Sequence, residues 1–310
     1  MKILLADGLD EKGQEILRRF AAVDDQAGID ADSLMDIIPA YDAVIVRGRT
    51  GMPRDLIERA GRLRVIGLAG IGVETIDLAA AQARHITVVN APVATAVAVA
   101  EHTFALMLAL LRQIPKADNG MKSGRWMKKT LTGTELFGKT LGIIGMGRIG
   151  TAVCERAGAF GVTLLGYDPA LPEDEIARCG AEPVTLDSLL TRSDVITIHS
   201  TLTPQTKMMI DSQAIGQMKR GVWIVHTARG GILDETALLA GLESGQVAGA
   251  ALDVYQEEPP GLTALVSHTR VIATPHIGAQ TEEAQVRTAC DIADEVRAAL
   301  TGEALRWKIV

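Results

Sequence analysis

At 310 residues the chain is long enough for about two domains, and a 47% hydrophobic content supplies a core for each. A formal net charge of −7 argues against a nucleic-acid-binding surface, which needs a basic face. Cys154, Cys179 and Cys290 lie far apart without a C-x-x-C pair, so no disulfide framework and no metal site is expected, and the compartment reads as reducing and cytoplasmic.

The chain opens directly on a strand and turns acidic at Asp7, too soon for a signal peptide. Short apolar runs at Ile3 to Ala6, Ala43 to Val46, Val65 to Ala69 and Thr87 to Val89 predict strands. Helical stretches at Leu9 to Phe20, Ala31 to Ile38, Arg54 to Ala60 and Leu78 to Ala83 alternate with them, which predicts a doubly wound parallel sheet. Two loops at predicted strand ends stand out. Arg47-Gly48-Arg49 offers two guanidinium groups that suit an anion, though a solvated surface pair fits as well. Gly70-Ile71-Gly72 frees backbone N–H groups to face an anion, or is a plain strand-to-helix turn.

Val97 to Arg112 predicts a helix apolar nearly all round, hence buried on more than one side, as a domain bridge or a dimer interface. Glu101 and His102 interrupt it, so it is not read as a membrane span. Gly124 to Lys129, with Trp126, Lys128 and Lys129, reads as an exposed basic and aromatic loop.

Lys139 to Asp168 organises the rest. A strand at Thr140 to Ile144 runs into Gly145, Gly147 and Gly150, spaced G-x-G-x-x-G, with Arg148 and Ile149 inside the motif. A helix follows, then a strand at Val162 to Tyr167 that ends on Asp168. Such glycines permit the tight turn, the approach of a pyrophosphate and close helix–strand packing. The helix N-terminus presents free N–H groups to phosphate. Asp168 stands where a carboxylate accepts ribose hydroxyls and repels a 2′-phosphate, so the expected cofactor is NAD.

Further strands at Val195 to His199, Trp223 to His226, Gly249 to Val254 and Val271 to Ala273 each lead into a polar loop. Arg229, Glu258 (or its neighbour Glu257) and His276 fall on three of these loops, at the ligand edge of such a sheet. Their types suit one reaction. A guanidinium holds a 2-oxo acid's carboxylate, an imidazolium protonates its carbonyl oxygen, and a carboxylate complements and orients the imidazolium.

The stretches VIGLAGIGVETID (65 to 77), AEHT (100 to 103), GTELFGKTLGIIGMGRIG (133 to 150), TARGGILDETAL (227 to 238), LDVYQEEP (252 to 259) and TPHIGAQTEEAQ (274 to 285) resemble the D-2-hydroxyacid dehydrogenase family, in its D-3-phosphoglycerate dehydrogenase branch. The resemblance implies Arg229, Glu258 and His276 as the catalytic trio. It implies cofactor contacts from Ile71, Arg148, Ile149, Asp168, Ser200, Thr227, Ala228, Asp253 and the segment His276, Ile277, Gly278, Ala279. It implies that the Ile71 and Gly72 amides bind the substrate carboxylate, and a homodimer with the helix from Val97 at its interface. The expected architecture is α/β with two doubly wound parallel-sheet domains. One is a flavodoxin-like discontinuous substrate domain (1–96 plus 281–310), the other a Rossmann NAD-binding domain (97–280), with a cleft between them. Arg47, Arg49 and Lys128 suggest a second anionic group on the substrate, as in phosphohydroxypyruvate. A sulfolactate-type acid satisfies the same charges, and glyoxylate or hydroxypyruvate needs none of them. A NAD-sensing, protein-binding co-repressor is the non-enzymatic alternative. His226 departs from the branch, which commonly carries Asn before the Thr-Ala-Arg-Gly run.

Overall fold

The computed structural model describes residues 1–310 and divides into two compact units, residues 1–95 with 279–310 and residues 96–278. The first unit begins with β1 (Lys2–Leu5), α1 (Glu11–Arg18), β2 (Ala22–Asp25), α2 (Ala31–Ile37), β3 (Ala43–Val46), α3 (Arg54–Arg59), β4 (Val65–Leu68), α4 (Leu78–Ala83) and β5 (Thr87–Asn90). All its strands are parallel, in the order β2-β1-β3-β4-β5. The buried runs Ile3–Ala6, Ala43–Val46 and Val65–Ala69 are continuous rather than alternating, because helices cover both faces of a parallel sheet. β2 has no apolar run to betray it: an edge strand of sequence AVDD, it buries little.

The second unit starts with α5 (Ala96–Leu111) and α6 (Ile114–Lys122). β6 (Thr140–Ile144), α7 (Arg148–Ala157), β7 (Thr163–Tyr167), α8 (Glu173–Arg178), β8 (Glu182–Pro183), α9 (Leu186–Arg192) and β9 (Val195–Ile198) follow. The unit closes with α10 (Ser212–Gln217), β10 (Val222–His226), α11 (Glu235–Ser244), β11 (Val247–Leu252) and β12 (Val271–Ala273). Its seven parallel strands run β12-β11-β10-β9-β6-β7-β8. The strand order reverses between β6 and β9, and such a switch point opens a crevice for a ligand at the carboxyl ends of the strands. α5 buries residues all round, including Ala100, Thr103, Phe104, Met107 and Leu111, as its sequence predicts. No single helix is long and apolar enough to cross a membrane. α5 and α6 pass that test only as a pair bent by 66°.

The chain returns to the first unit through α12 (Glu282–Thr301). Gly67 on β4 leaves room for it: a Cβ there would lie 2.5 Å from Val296 Cγ2. Buried Glu295 accepts the Arg306 and Trp307 amides, each at 3.0 Å, and ties down the C-terminal segment beside β5.

Candidate active site

The glycine turn after β6 is shaped by contacts that only glycine allows. Gly145 has φ +89°, and a Cβ there would sit 2.5 Å from the Ser200 amide in the loop after β9. A Cβ on Gly150 would sit 1.9 Å from the Gly145 carbonyl oxygen. A Cβ on Gly147 would meet nothing within 4 Å, so this turn presents bare backbone to open space. Arg148 and Ile149 begin α7 there. Asp168, just after β7, accepts the Met146 amide at 2.9 Å and the Ala170 amide at 2.9 Å. Its carboxylate therefore braces the turn as well as standing at the crevice. These features fit a dinucleotide: a bare turn at a helix N-terminus, with an acid at the end of the next strand.

Three loops come together at the carboxyl ends of β10, β11 and β12. After β10, Thr227 and Ala228 are buried and Arg229 is partly exposed. The Arg229 Nη1 donates to the Ala228 carbonyl at 2.7 Å. Gly230 abuts the next loop so closely that a Cβ would lie 1.7 Å from the Tyr255 carbonyl oxygen. After β11, Glu258 Oε1 accepts the Tyr255 amide at 3.1 Å, and its other oxygen lies 2.7 Å from His276 Nδ1 in the loop after β12. The peptide between Glu258 and Pro259 is cis. With Nδ1–H donating to Glu258, His276 keeps Nε2 available, and its side chain is 46% exposed.

His276 adopts φ +53°, a left-handed backbone that disfavours side chains. Asp253 is what holds it. Its Oδ1 accepts the Ile277 amide at 2.9 Å and its Oδ2 the Gly278 amide at 2.8 Å. Thr274 Oγ1 donates to Oδ1 at 2.6 Å, and His102 Nε2 on α5 lies 3.3 Å away. Burial alone would raise Asp253, but His102, Thr274 and the two amides outweigh it and hold the carboxyl below its ordinary range. Gly278 fits because a Cβ there would approach Asp253 Oδ2 to 3.0 Å.

Beneath these loops runs a chain of hydrogen bonds. Thr103 Oγ1 donates to Val99 O at 2.8 Å and lies 3.0 Å from Thr227 Oγ1. Thr227 Oγ1 lies 3.5 Å from His199 Nδ1, and His199 Nε2 lies 2.9 Å from Thr197 Oγ1. Burial pulls His199 down to about 3, with His226 adding to the effect. Burial pulls His226 down to about 4, partly offset by its bond to the Arg229 carbonyl. His102, Thr103 and His199 were not singled out by sequence reasoning. The available signal was the pair His102-Thr103 inside an otherwise apolar helix.

In the first unit, the Ile71 and Gly72 amides make no hydrogen bond, whereas the Ile71 carbonyl accepts Asn90 Nδ2 at 3.0 Å and Gly70 O accepts the Ala91 amide. Unsatisfied amides at a strand end suit a carboxylate. The loop after β3 differs from expectation. Asp7, at the end of β1, takes Arg49 for itself through Nε at 3.1 Å and Nη2 at 3.0 Å. It also accepts the Arg47 amide at 2.7 Å and Thr50 Oγ1 at 2.6 Å. Arg49 is thus bound internally, and Arg47 carries the only guanidinium of the pair outside an ion pair. Lys128 is exposed, beside a mainly apolar groove of about 380 Å³ lined by Met121, Trp126, Met127 and Leu131, and it bonds to none of the trio.

Residues 104–278 match the pattern of the D-isomer specific 2-hydroxyacid dehydrogenase, NAD binding domain. The chain belongs to this family. It is 42% identical over 301 residues to D-3-phosphoglycerate dehydrogenase of Synechocystis sp., covering 97% of this chain and 54% of that protein. It is 45% identical over 304 residues to D-3-phosphoglycerate dehydrogenase of Methanocaldococcus jannaschii, covering 98% and 58%. The chain thus spans little more than half the length of these curated relatives. Among solved structures, a glyoxylate reductase from Paecilomyes thermophila superposes with a TM-score of 0.90 at 32% identity, over 100% of this chain and 98% of that one. The family resemblance, the two parallel-sheet architecture and the NAD-binding domain expected from the motifs are all borne out.

Proposed function

We propose that this family member interconverts a 2-oxo acid and a D-2-hydroxy acid with NAD(H), and that 3-phosphohydroxypyruvate and 3-phosphoglycerate are its first candidate pair. The observation that carries the reaction class is the 2.7 Å pair of His276 Nδ1 and Glu258 Oε2, set against the Arg229 loop through Gly230. Held at the glycine turn after β6 and beside Asp168, NADH would supply the hydride. The Arg229 guanidinium holds the substrate carboxylate and polarises the carbonyl. His276 Nε2–H gives its proton to the carbonyl oxygen, and Glu258 steadies the imidazolium beforehand and orients it throughout. In the oxidative direction, the same nitrogen takes the hydroxyl proton.

The phosphoglycerate reading draws on the two relatives of that name and on Arg47. One observation favours a second reading. Asp7 engages Arg49, so only Arg47 remains for a distal anion, which suits glyoxylate or hydroxypyruvate. The test is NADH oxidation with 3-phosphohydroxypyruvate, glyoxylate and hydroxypyruvate. A preference for the phosphorylated acid that is lost in Arg47→Ala supports the first reading, and equal turnover of all three supports the second.

We further read the protein as a homodimer built on the second unit. Trp126, Phe137, Met121 and Ile114 are all more than half exposed there, an apolar surface that a second copy would cover. Sedimentation velocity would show a monomer if this is wrong.

A further inference from the structure

We propose that His226 is a positioning residue for Arg229, its ring clamping the peptide from which the substrate-binding guanidinium projects. This rests on the reading of Arg229 as the carboxylate-binding residue. His226 ends β10, a strand flanked on both sides by β9 and β11, and it is 2% exposed. Its Nε2 lies 2.9 Å from the Arg229 carbonyl oxygen, three residues on. A carbonyl can only accept, so Nε2 carries the hydrogen and Nδ1 is bare. That Nδ1 is buried and has no partner. A bare acceptor in the interior is destabilising, and an apolar side chain would fill the space without one. The imidazole is therefore accounted for by its Nε2–H rather than by packing. Burial keeps the ring neutral at ordinary pH, which fixes this single donor arrangement.

From the other side, Gly230 is pressed against the Tyr255 carbonyl, where a Cβ would lie 1.7 Å from the oxygen. The 229–230 peptide is thus gripped between the imidazole and the β11 loop that also carries Glu258. Release of the ring-side bond frees that peptide to rotate, and the guanidinium moves with it.

The test compares wild type with His226→Asn, His226→Leu and Arg229→Gln. It uses steady-state NADH oxidation with glyoxylate and with 3-phosphohydroxypyruvate, plus NADH affinity by fluorescence titration. His226→Leu removes the donor, and His226→Asn keeps an N–H. The expected result is a fall of about 10–100-fold in kcat/KM for the 2-oxo acid in His226→Leu, with NADH affinity unchanged and most of the loss recovered in His226→Asn. If His226→Leu does not fold, His226→Ala takes its place, because its smaller side chain cannot overpack the site. Wild-type kcat/KM in the donor-free variant, or an equal loss with Asn, overturns the proposal while an inactive Arg229→Gln leaves the reading of Arg229 standing. Full activity in Arg229→Gln, or no wild-type turnover of either acid, overturns that reading and this proposal together.

Discussion

Neutral His226 in the interior predicts a specific acid sensitivity. The group titrates near 4 in the folded chain against an ordinary 6.5, because burial penalises the imidazolium. The unfolded chain therefore binds the proton first. The stability contributed by the neutral ring is complete above about pH 6.5 and is lost as pH falls toward 4. The difference between the two values corresponds to roughly 3.4 kcal/mol. The perturbation is His226→Asn, which removes the titration and keeps an N–H donor. Urea unfolding of both proteins, followed by tryptophan fluorescence at about pH 7 and about pH 4.5, isolates the effect. Trp126 and Trp223 report on the second unit and Trp307 on the first. Carboxylates titrate in both proteins and largely cancel, while the loss of His226 eases the depression of His199, which adds to the difference in the same direction. The wild type should lose about 2–3 kcal/mol more than the variant between the two pH values, in the second unit's transition. Parallel losses would refute the buried, neutral state of His226.

Three further outcomes follow from the same geometry. Gly150→Ala forces a methyl to within 1.9 Å of the Gly145 carbonyl, so the glycine turn must move. Calorimetry should show a destabilisation of about 1–3 kcal/mol, together with weakened NADH binding. Asp168→Ser removes the carboxylate at the end of β7, and titrations with NADH and NADPH should show the preference for NADH shrinking, mainly through tighter NADPH binding. Arg47→Ala should raise KM for 3-phosphohydroxypyruvate and leave glyoxylate unchanged. Arg49→Ala should instead lower thermal stability by loosening the Asp7 loop, with at most about 1 kcal/mol from so exposed a pair.

The parts of the fold legible in the sequence are those with strong periodicity. Ala43–Val46, Leu78–Ala83 and Val271–Ala273 were marked by their apolar pattern to the residue. β2 and the two-residue β8 were not, because edge strands need few apolar residues. α6 has no counterpart in the predicted elements: its stretch IPKADNGMK is only weakly apolar, and two residues and a 66° bend separate it from α5. At the site, residue types on successive loops located Arg229, Glu258 and His276. They could not show how the loops are held. Asp253 gripping the two amides after His276, and Asp7 capturing Arg49, are pairings across 24–25 and 42 residues. Spacing along the chain carries no information about such contacts. Arg49 illustrates the cost: two arginines in one loop looked equivalent, and an aspartate at the end of a neighbouring strand made them different.

In the proposed reaction His276, oriented by Glu258 and set beside Arg229, moves the proton in an NADH-dependent reduction of 2-oxo acids. The most direct test is steady-state reduction of glyoxylate and 3-phosphohydroxypyruvate by wild type, His276→Gln and Glu258→Gln, with NADH affinity measured in parallel. The expected result is a loss of about 10²–10⁴-fold in kcat for His276→Gln, a smaller loss for Glu258→Gln, and unchanged NADH binding in both. Turnover by His276→Gln at the wild-type rate would contradict it.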